Sequence, residues 1–308
     1  MPVDFRYRGM GYIALNVTDL EKTSAFATEV FALTPAGDGP SGERFFRCST
    51  NHHDVVLNQA DKAGFVRAGW VLETQEEVDR AFRHFDQKLG LKPKWIPEEE
   101  RIALGLGFGP AFRVREPTTK AQYDYYAKME YVSAPLQNTH ITKFKCFGHF
   151  GLVVPDCKAT TDYMVENMGF IVSDYAGPYR AVLMRPFPNA NHHSFAPIQS
   201  PFGRCTFHHM AFMVSEIDDI GKLFNRTKKF DAGIAFGIGR HPTSGSIHLY
   251  VYDPDDMVWE YTLGMEQFPE ENPREARNMC ITPENFDLWG AVPDAGFLEK
   301  GADVVTED

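Results

Sequence analysis

The sequence repeats itself at long range. GYIALNVTDLEKTSAFATEVFAL from Gly11 and GHFGLVVPDCKATTDYMVENMGF from Gly148 share one order of apolar strand, turn acid and amphipathic helix, at an offset of 137 residues. The run Asn51 to Asp54 (NHHD) recurs at Asn191 to Ser194 (NHHS), and GWVLETQEEVDRAF from Gly69 parallels HMAFMVSEIDDIGKLF from His209, both at an offset of 140. A unit that cannot bury its apolar face alone must stack on its copies, so the repeat limits the fold to one architecture used several times. Within each half the order strand, capped helix, then short strands between Gly, Pro and Asn turns occurs twice. The expectation is an α+β protein of four βαβββ modules in two domains, residues 1–140 and 141–308. The apolar pattern lapses between Gln137 and Lys143, and a Pro- and acid-rich tail after Gly264 is expected to lie over the body.

A length of 308 residues suits two domains. No apolar run approaches the roughly 18 residues of a membrane span, and the N-terminus lacks the basic and apolar regions of a secretory signal, which places the protein in the cytoplasm. Five scattered cysteines form no CxxC, so buried or semi-buried free thiols are expected. A net charge of -11, spread along the chain, disfavours nucleic acid and anionic membranes as partners and leaves a small molecule.

In the second half, strands are expected over Phe150 to Val154 and Met210 to Val214, with helices starting near Asp156 and Glu216. His149 and His209 take equivalent places, each as the first residue of its strand. Alternation sets His149, Gly151 and Val153 on one face, and His209, Ala211 and Met213 on the matching one. Glu260 lies beyond the tight turn Asp253 to Asp256, which closes a hairpin on Ser246 to Tyr252. A single strand histidine is commonly a core residue. Two at equivalent repeat positions plus a hairpin acid make a facial triad of metal ligands, leaving three adjacent coordination positions open. The first half has Tyr12 and Gly69 at the histidine positions and cannot hold a metal this way. Its Glu116 echoes Glu260 only as an ordinary surface or salt-bridged acid. His193, on a strand start facing the same cavity with His192 turned away, His241 on a Gly-rich loop, and Tyr250, which shares a strand face with His248 and Tyr252, are candidate proton handlers.

The segments HFGLVVPD from His149, HHMAFMV from His208, GRH at Gly239 to His241 and IHLYVYDPDDMVWEYT from Ile247 together resemble the type I extradiol ring-cleaving dioxygenases of the vicinal oxygen chelate superfamily, over nearly the whole chain. The resemblance implies a C-terminal domain whose barrel-like sheet surrounds Fe(II), with Mn(II) as the other candidate metal, held by His149, His209 and Glu260. It implies cleavage of a catechol or substituted catechol by O2 in aromatic catabolism, with Tyr250 and His241 assisting deprotonation and His193 stabilising oxygen and supplying a proton. It also implies a homo-oligomer, for which Trp70 and Trp95 would offer surface.

Two departures bear on the pocket. The turn Asp253 to Asp256 ends in Asp where many relatives have Gly. Phe236 stands where relatives that accept carboxylated catechols can have a basic residue, which favours a neutral or weakly polar ring substituent. Substrate size would be set by Met184, Phe187 and the tail. Two other readings use the same residues: a glyoxalase-like isomerase or 4-hydroxyphenylpyruvate-type dioxygenase, separable by metal preference, and a small-molecule binding protein, which would not need the triad in register.

Overall fold

The computed structural model describes residues 3–137, 141, 143–280, 282 and 286–306; the expected boundary at residue 140 lies outside them. All four modules are present. The first runs β1 (Tyr7–Val17), α1 (Leu20–Ala25), β2 (Thr34–Asp38), β3 (Arg44–Arg47) and β4 (Val55–Gln59). The second runs β5 (Gly64–Leu72), α2 (Gln75–Arg83) and β6 (Lys94–Trp95), then an extra helix α3 (Glu98–Ala103), β7 (Phe112–Arg115) and β8 (Gln122–Tyr126). The third is β9 (Phe144–Val154), α4 (Cys157–Asn167), β10 (Phe170–Ala176), β11 (Ala181–Pro186) and β12 (Phe195–Gln199). The fourth is β13 (Thr206–Val214), α5 (Ile217–Lys229), β14 (Ile234–Arg240), β15 (Ile247–Tyr252) and β16 (Val258–Leu263).

The helices begin where their caps dictate. Asp19, Thr74 and Asp156 each accept a hydrogen bond from the backbone N–H three residues on. Glu216 precedes α5 without a side-chain cap, and that helix instead carries Asp218 and Asp219 in its first turn and Arg226, Lys228 and Lys229 in its last, complementing the helix dipole. The strands extend further back than expected: β9 starts at Phe144 and β13 at Thr206, because these segments pair with each other. His149 and His209 therefore sit inside strands and not at their first residues.

The C-terminal strands bond in the order β10, β11, β12, β9, β13, β16, β15, β14, with parallel pairing where β9 meets β12 and β13 meets β16. The N-terminal half repeats the order as β2, β3, β4, β1, β5, β8, β7, β6. Among the described residues no ladder joins β10 to β14, so the barrel-like sheet is a curled sheet left open along one side. The C-terminal segment takes both free edges: β17 (Arg277–Met279) pairs in parallel with β10, and Pro293 bridges to Phe236 of β14. β18 (Asp303–Val304) pairs with both β5 and β13, tying the halves together.

An aromatic layer fills the space between the halves. Phe65 stacks on Phe150 with centroids 5.5 Å apart, and Trp70 meets Phe150 and Phe170 at 5.9 and 5.2 Å. Trp70 is fully buried and offers no surface for oligomerisation, contrary to the sequence expectation; Trp95 is exposed on one face and stacks on Phe82 with the other. Truncating Trp70 to Ala would cost about 3–5 kcal/mol. Glu116 is also buried, and not a surface acid: it accepts hydrogen bonds from the backbone and hydroxyls of Thr118 and Thr119, which a tight turn brings beneath it. Four of the five cysteines are buried or half-buried as expected, but Cys280, on the tail, is exposed.

Candidate metal centre

Strand register builds the site. β9 and β13 pair antiparallel with His149 opposite Ala211, and β13 pairs in parallel with β16 with Ala211 opposite Glu260. His149, Ala211 and Glu260 thus form one row across three strands, and His209, two residues before Ala211, projects to the same face. The alanine methyl leaves the middle of the row open. His149 Nε2 lies 2.9 Å and His209 Nε2 3.6 Å from Glu260 Oε2, and the three donor groups all fall within 4.8 Å of one another. All three residues are buried. Among the described residues, His209 Nε2 and both oxygens of Glu260 have no hydrogen-bond partner, a costly arrangement unless a cation occupies the space between them. Burial, and then the neighbouring histidines, push the His209 pKa well below its ordinary value, so the imidazole is in its ligating, neutral form. His209 Nδ1 is 2.6 Å from His208 Nδ1; a metal-facing Nε2 requires the proton on Nδ1, so His208 accepts it and orients the ring. Two imidazoles and a carboxylate with open positions suit a divalent non-haem metal.

The three expected proton handlers converge on this face. His193, just before β12, places its ring 4.1 Å from that of His149. Tyr250 lies directly opposite Glu260 in the β15–β16 hairpin, and its hydroxyl is 2.8 Å from His241 Nε2. Burial lowers the pKa of His193 and His241 and raises that of Tyr250, to which the Glu260 carboxylate adds, so all three are neutral near pH 7. The adjoining cavity has a volume of about 120 Å³. Its wall carries Ala176, Ala181, Leu183, Ala196, Ile198 and Phe236, closed by Phe286 and Phe297 of the tail, and no Lys or Arg among the described residues lines it.

Two expected pocket residues are elsewhere. Met184 belongs to the core, because alternation along β11 gives the cavity its neighbour Leu183, and Phe187 lies under the Arg6 guanidinium. The turn ending in Asp256 does take a left-handed conformation there, φ 61°, which Asp tolerates less readily than Gly. Sequence reasoning overlooked Asp174, bonded to His192, and Asp287 of the tail, 2.9 Å from His248 Nε2. Nothing local marks either acid, and only the doubled histidines at His192 and His208 hinted at supporting groups.

The N-terminal half shows what the repeat does without ligands. Tyr12 and Gly69 stand in place of the histidines as expected, and β8 stands where β16 carries Glu260, with Asp124 opposite Gly69 and Tyr126 opposite Val71, while Glu116 lies before that strand. The Tyr12 hydroxyl donates to Asp124 at 2.6 Å, and Arg113 chelates the same carboxylate at 2.7 and 2.8 Å. A tyrosine hydrogen-bonded to this ion pair fills the space, and a Cβ on Gly69 would collide with its ring.

Residues 147–261 match the Glyoxalase/Bleomycin resistance protein/Dioxygenase superfamily. The chain is 24% identical over 271 residues to a 1,2-dihydroxynaphthalene dioxygenase of Sphingobium xenophagum, covering 85% of this chain and 90% of that one. Its fold resembles homoprotocatechuate 2,3-dioxygenase of Brevibacterium fuscum, solved with 3,4-dihydroxyphenylacetate, at TM-score 0.84 and 23% identity over 99% of this chain and 95% of that one. A Mn(II)-bound glyoxalase of Novosphingobium aromaticivorans is equally similar in fold, at TM-score 0.84 and 20% identity over 99% and 98% of the two chains. No helix among the described residues is long and apolar enough to cross a membrane.

Proposed function

We propose that this protein, whose residues 147–261 form a domain of the Glyoxalase/Bleomycin resistance protein/Dioxygenase superfamily, is an extradiol dioxygenase that opens the ring of a neutral, apolar-substituted catechol with O2 at one Fe(II) held by His149, His209 and Glu260. The observation that carries this reading is the unpartnered His/His/Glu set opening on a cavity that also holds His193, His241 and Tyr250. A binding protein has no use for three neutral proton handlers around the same donors.

Bound Fe(II) would supply Lewis acidity toward the diol and a path for electrons between the diol and O2. The chain's own residues orient and protonate. The largely apolar cavity wall would pack against the ring and exclude water, leaving both hydroxyls to the ligand face. The Tyr250–His241 pair, 2.8 Å apart, can take a hydroxyl proton at one end and pass it along the hydrogen bond. His193, on the opposite wall beside His149, exchanges a proton at the ring nitrogen that faces the cavity, first accepting and then returning it as the ring opens. With no cation in the wall, a carboxylated substituent would be desolvated without a partner, so neutral catechols are preferred.

The trial is anaerobic reconstitution with Fe(II), followed by oxygen uptake and yellow product with a catechol panel. Alkyl- and unsubstituted catechols should turn over and carboxylated ones should not; silence toward every catechol would end the proposal. Likeness in fold to the Mn(II) glyoxalase makes a thiohemiacetal isomerase the second reading. Activity on a thiohemiacetal with Mn(II) or Zn(II), unaffected by oxygen, would favour it.

A further inference from the structure

His192 takes no part in the site just described. Its side chain is fully buried and turned away from the cavity, with Nε2 2.8 Å from Asp174 Oδ2 and Nδ1 3.1 Å from His193 Nδ1. Asp174, on β10, is itself buried and receives Arg274 and Arg277 from the tail, with bonds from 2.6 to 3.1 Å. Burial opposes the charge on Asp174, yet hydrogen bonds from His192, Arg277 and Arg274 outweigh it and hold the carboxyl below the usual carboxylate range. The two guanidinium groups neutralise the cluster of Asp174, His192 and Glu266, so it is not a second cation site.

The donor count then dictates each proton. A carboxylate can only accept, so His192 Nε2 carries hydrogen. Burial lowers the His192 pKa against the pull of Asp174, so the imidazole is neutral and its Nδ1 is a bare acceptor. The 3.1 Å contact between the two Nδ1 atoms therefore needs hydrogen on the His193 side. That leaves His193 Nε2 with a free lone pair toward the cavity. The N-terminal half supplies a contrast: His52 and His53 keep the same Nδ1 contact, at 3.0 Å, but no carboxylate bonds His52 among the described residues. The acid accompanies the doublet only in the half that holds the donor triad.

We propose that Asp174 and His192 are positioning residues that fix the tautomer of His193, so that its Nε2 meets the substrate as a hydrogen-bond acceptor. The use of that acceptor in ring cleavage rests on the function proposed above; the tautomer does not.

The test reads the tautomer directly, by two-bond 15N–1H correlation on the full chain labelled in histidine, metal-free and Zn(II)-loaded. Wild-type His193 should show hydrogen on Nδ1 and a bare Nε2. In Asp174→Asn the amide can donate to His192 Nε2, which reverses the chain and moves the His193 proton to Nε2. His192→Phe, which keeps Asp174 and its arginines, should give a mixture of both forms. Turnover in either variant should fall about 10- to 100-fold in kcat with KM changed less than about threefold. Arg274→Gln breaks an ion pair to the same carboxylate but keeps its bond to His192, and should leave the tautomer unchanged. The idea is overturned if wild-type His193 carries hydrogen on Nε2, if neither Asp174→Asn nor His192→Phe alters it, or if Arg274→Gln inverts it as Asp174→Asn does. A correct tautomer response in a chain that cleaves no catechol would uphold the positioning and reject the reaction.

Discussion

Gly151 lies against the imidazole of His209 so closely that a Cβ built on it would stand 2.7 Å from Cε1 and 2.9 Å from Nδ1. The two residues are register partners on β9 and β13, and the ring is buried. A methyl group there must displace the ring or the strand. Gly151→Ala is expected to keep the fold while weakening metal binding about tenfold or more, because the ring that moves is a ligand. Metal titration with circular dichroism as the fold control checks this; unchanged affinity would mean that His209 does not ligate.

The unpartnered atoms of His209 and Glu260 predict a stoichiometry. One divalent ion per chain should bind, and His149→Ala, His209→Ala or Glu260→Gln should each abolish it in elemental analysis after dialysis. Glu260→Gln should be no less stable than wild type without metal, since it removes a buried charge that has lost its cation. Replacing both Tyr12 and Gly69 by His should create no second site, because Arg67, Arg113 and Asp124 already occupy that space.

Proton transfer separates from binding. Tyr250→Phe removes the hydroxyl 2.8 Å from His241 while keeping the ring that packs beside His209. Its kcat, and that of His193→Gln, should fall about 10²- to 10⁴-fold with metal content unchanged. Stopped-flow detection of the bound substrate's absorbance would show catechol still binding; loss of binding instead would reassign these side chains to substrate recognition.

Acid should destabilise the metal-free protein in a way traceable to Asp174. Its folded pKa lies below the unfolded value of about 3.9. The native state then binds fewer protons in the acid range, so this contribution is complete above about pH 4 and is lost as pH falls through the folded value. Urea denaturation from pH 7 to pH 3 should show stability falling below pH 4, and Asp174→Asn should be less stable at pH 7 with a flatter acid limb. Parallel limbs would show that the carboxylate contributes nothing.

Much of this architecture was legible because the repeat, the caps and the alternation are local. Asp19 and Asp156 start helices through bonds three residues away, and the offsets linking Gly11–Tyr12 to Gly148–His149 mark equivalent strand positions before any contact is known. The same comparison singled out His149 and His209, since a core has no need of the same histidine twice, and the hairpin beyond the turn Asp253 to Asp256 pointed to Glu260.

What the chain order could not reveal was decided by partners far away along the chain or by the register between strands. Ala211 became the spacer of the ligand row only through pairing with both β9 and β16. Trp70 was buried by the packing of one half on the other, and the tail reached Asp174 from Arg274 and Arg277. Periodicity tells which side of a strand a residue takes; whether that side faces water, a core or a metal depends on what the folded chain sets against it.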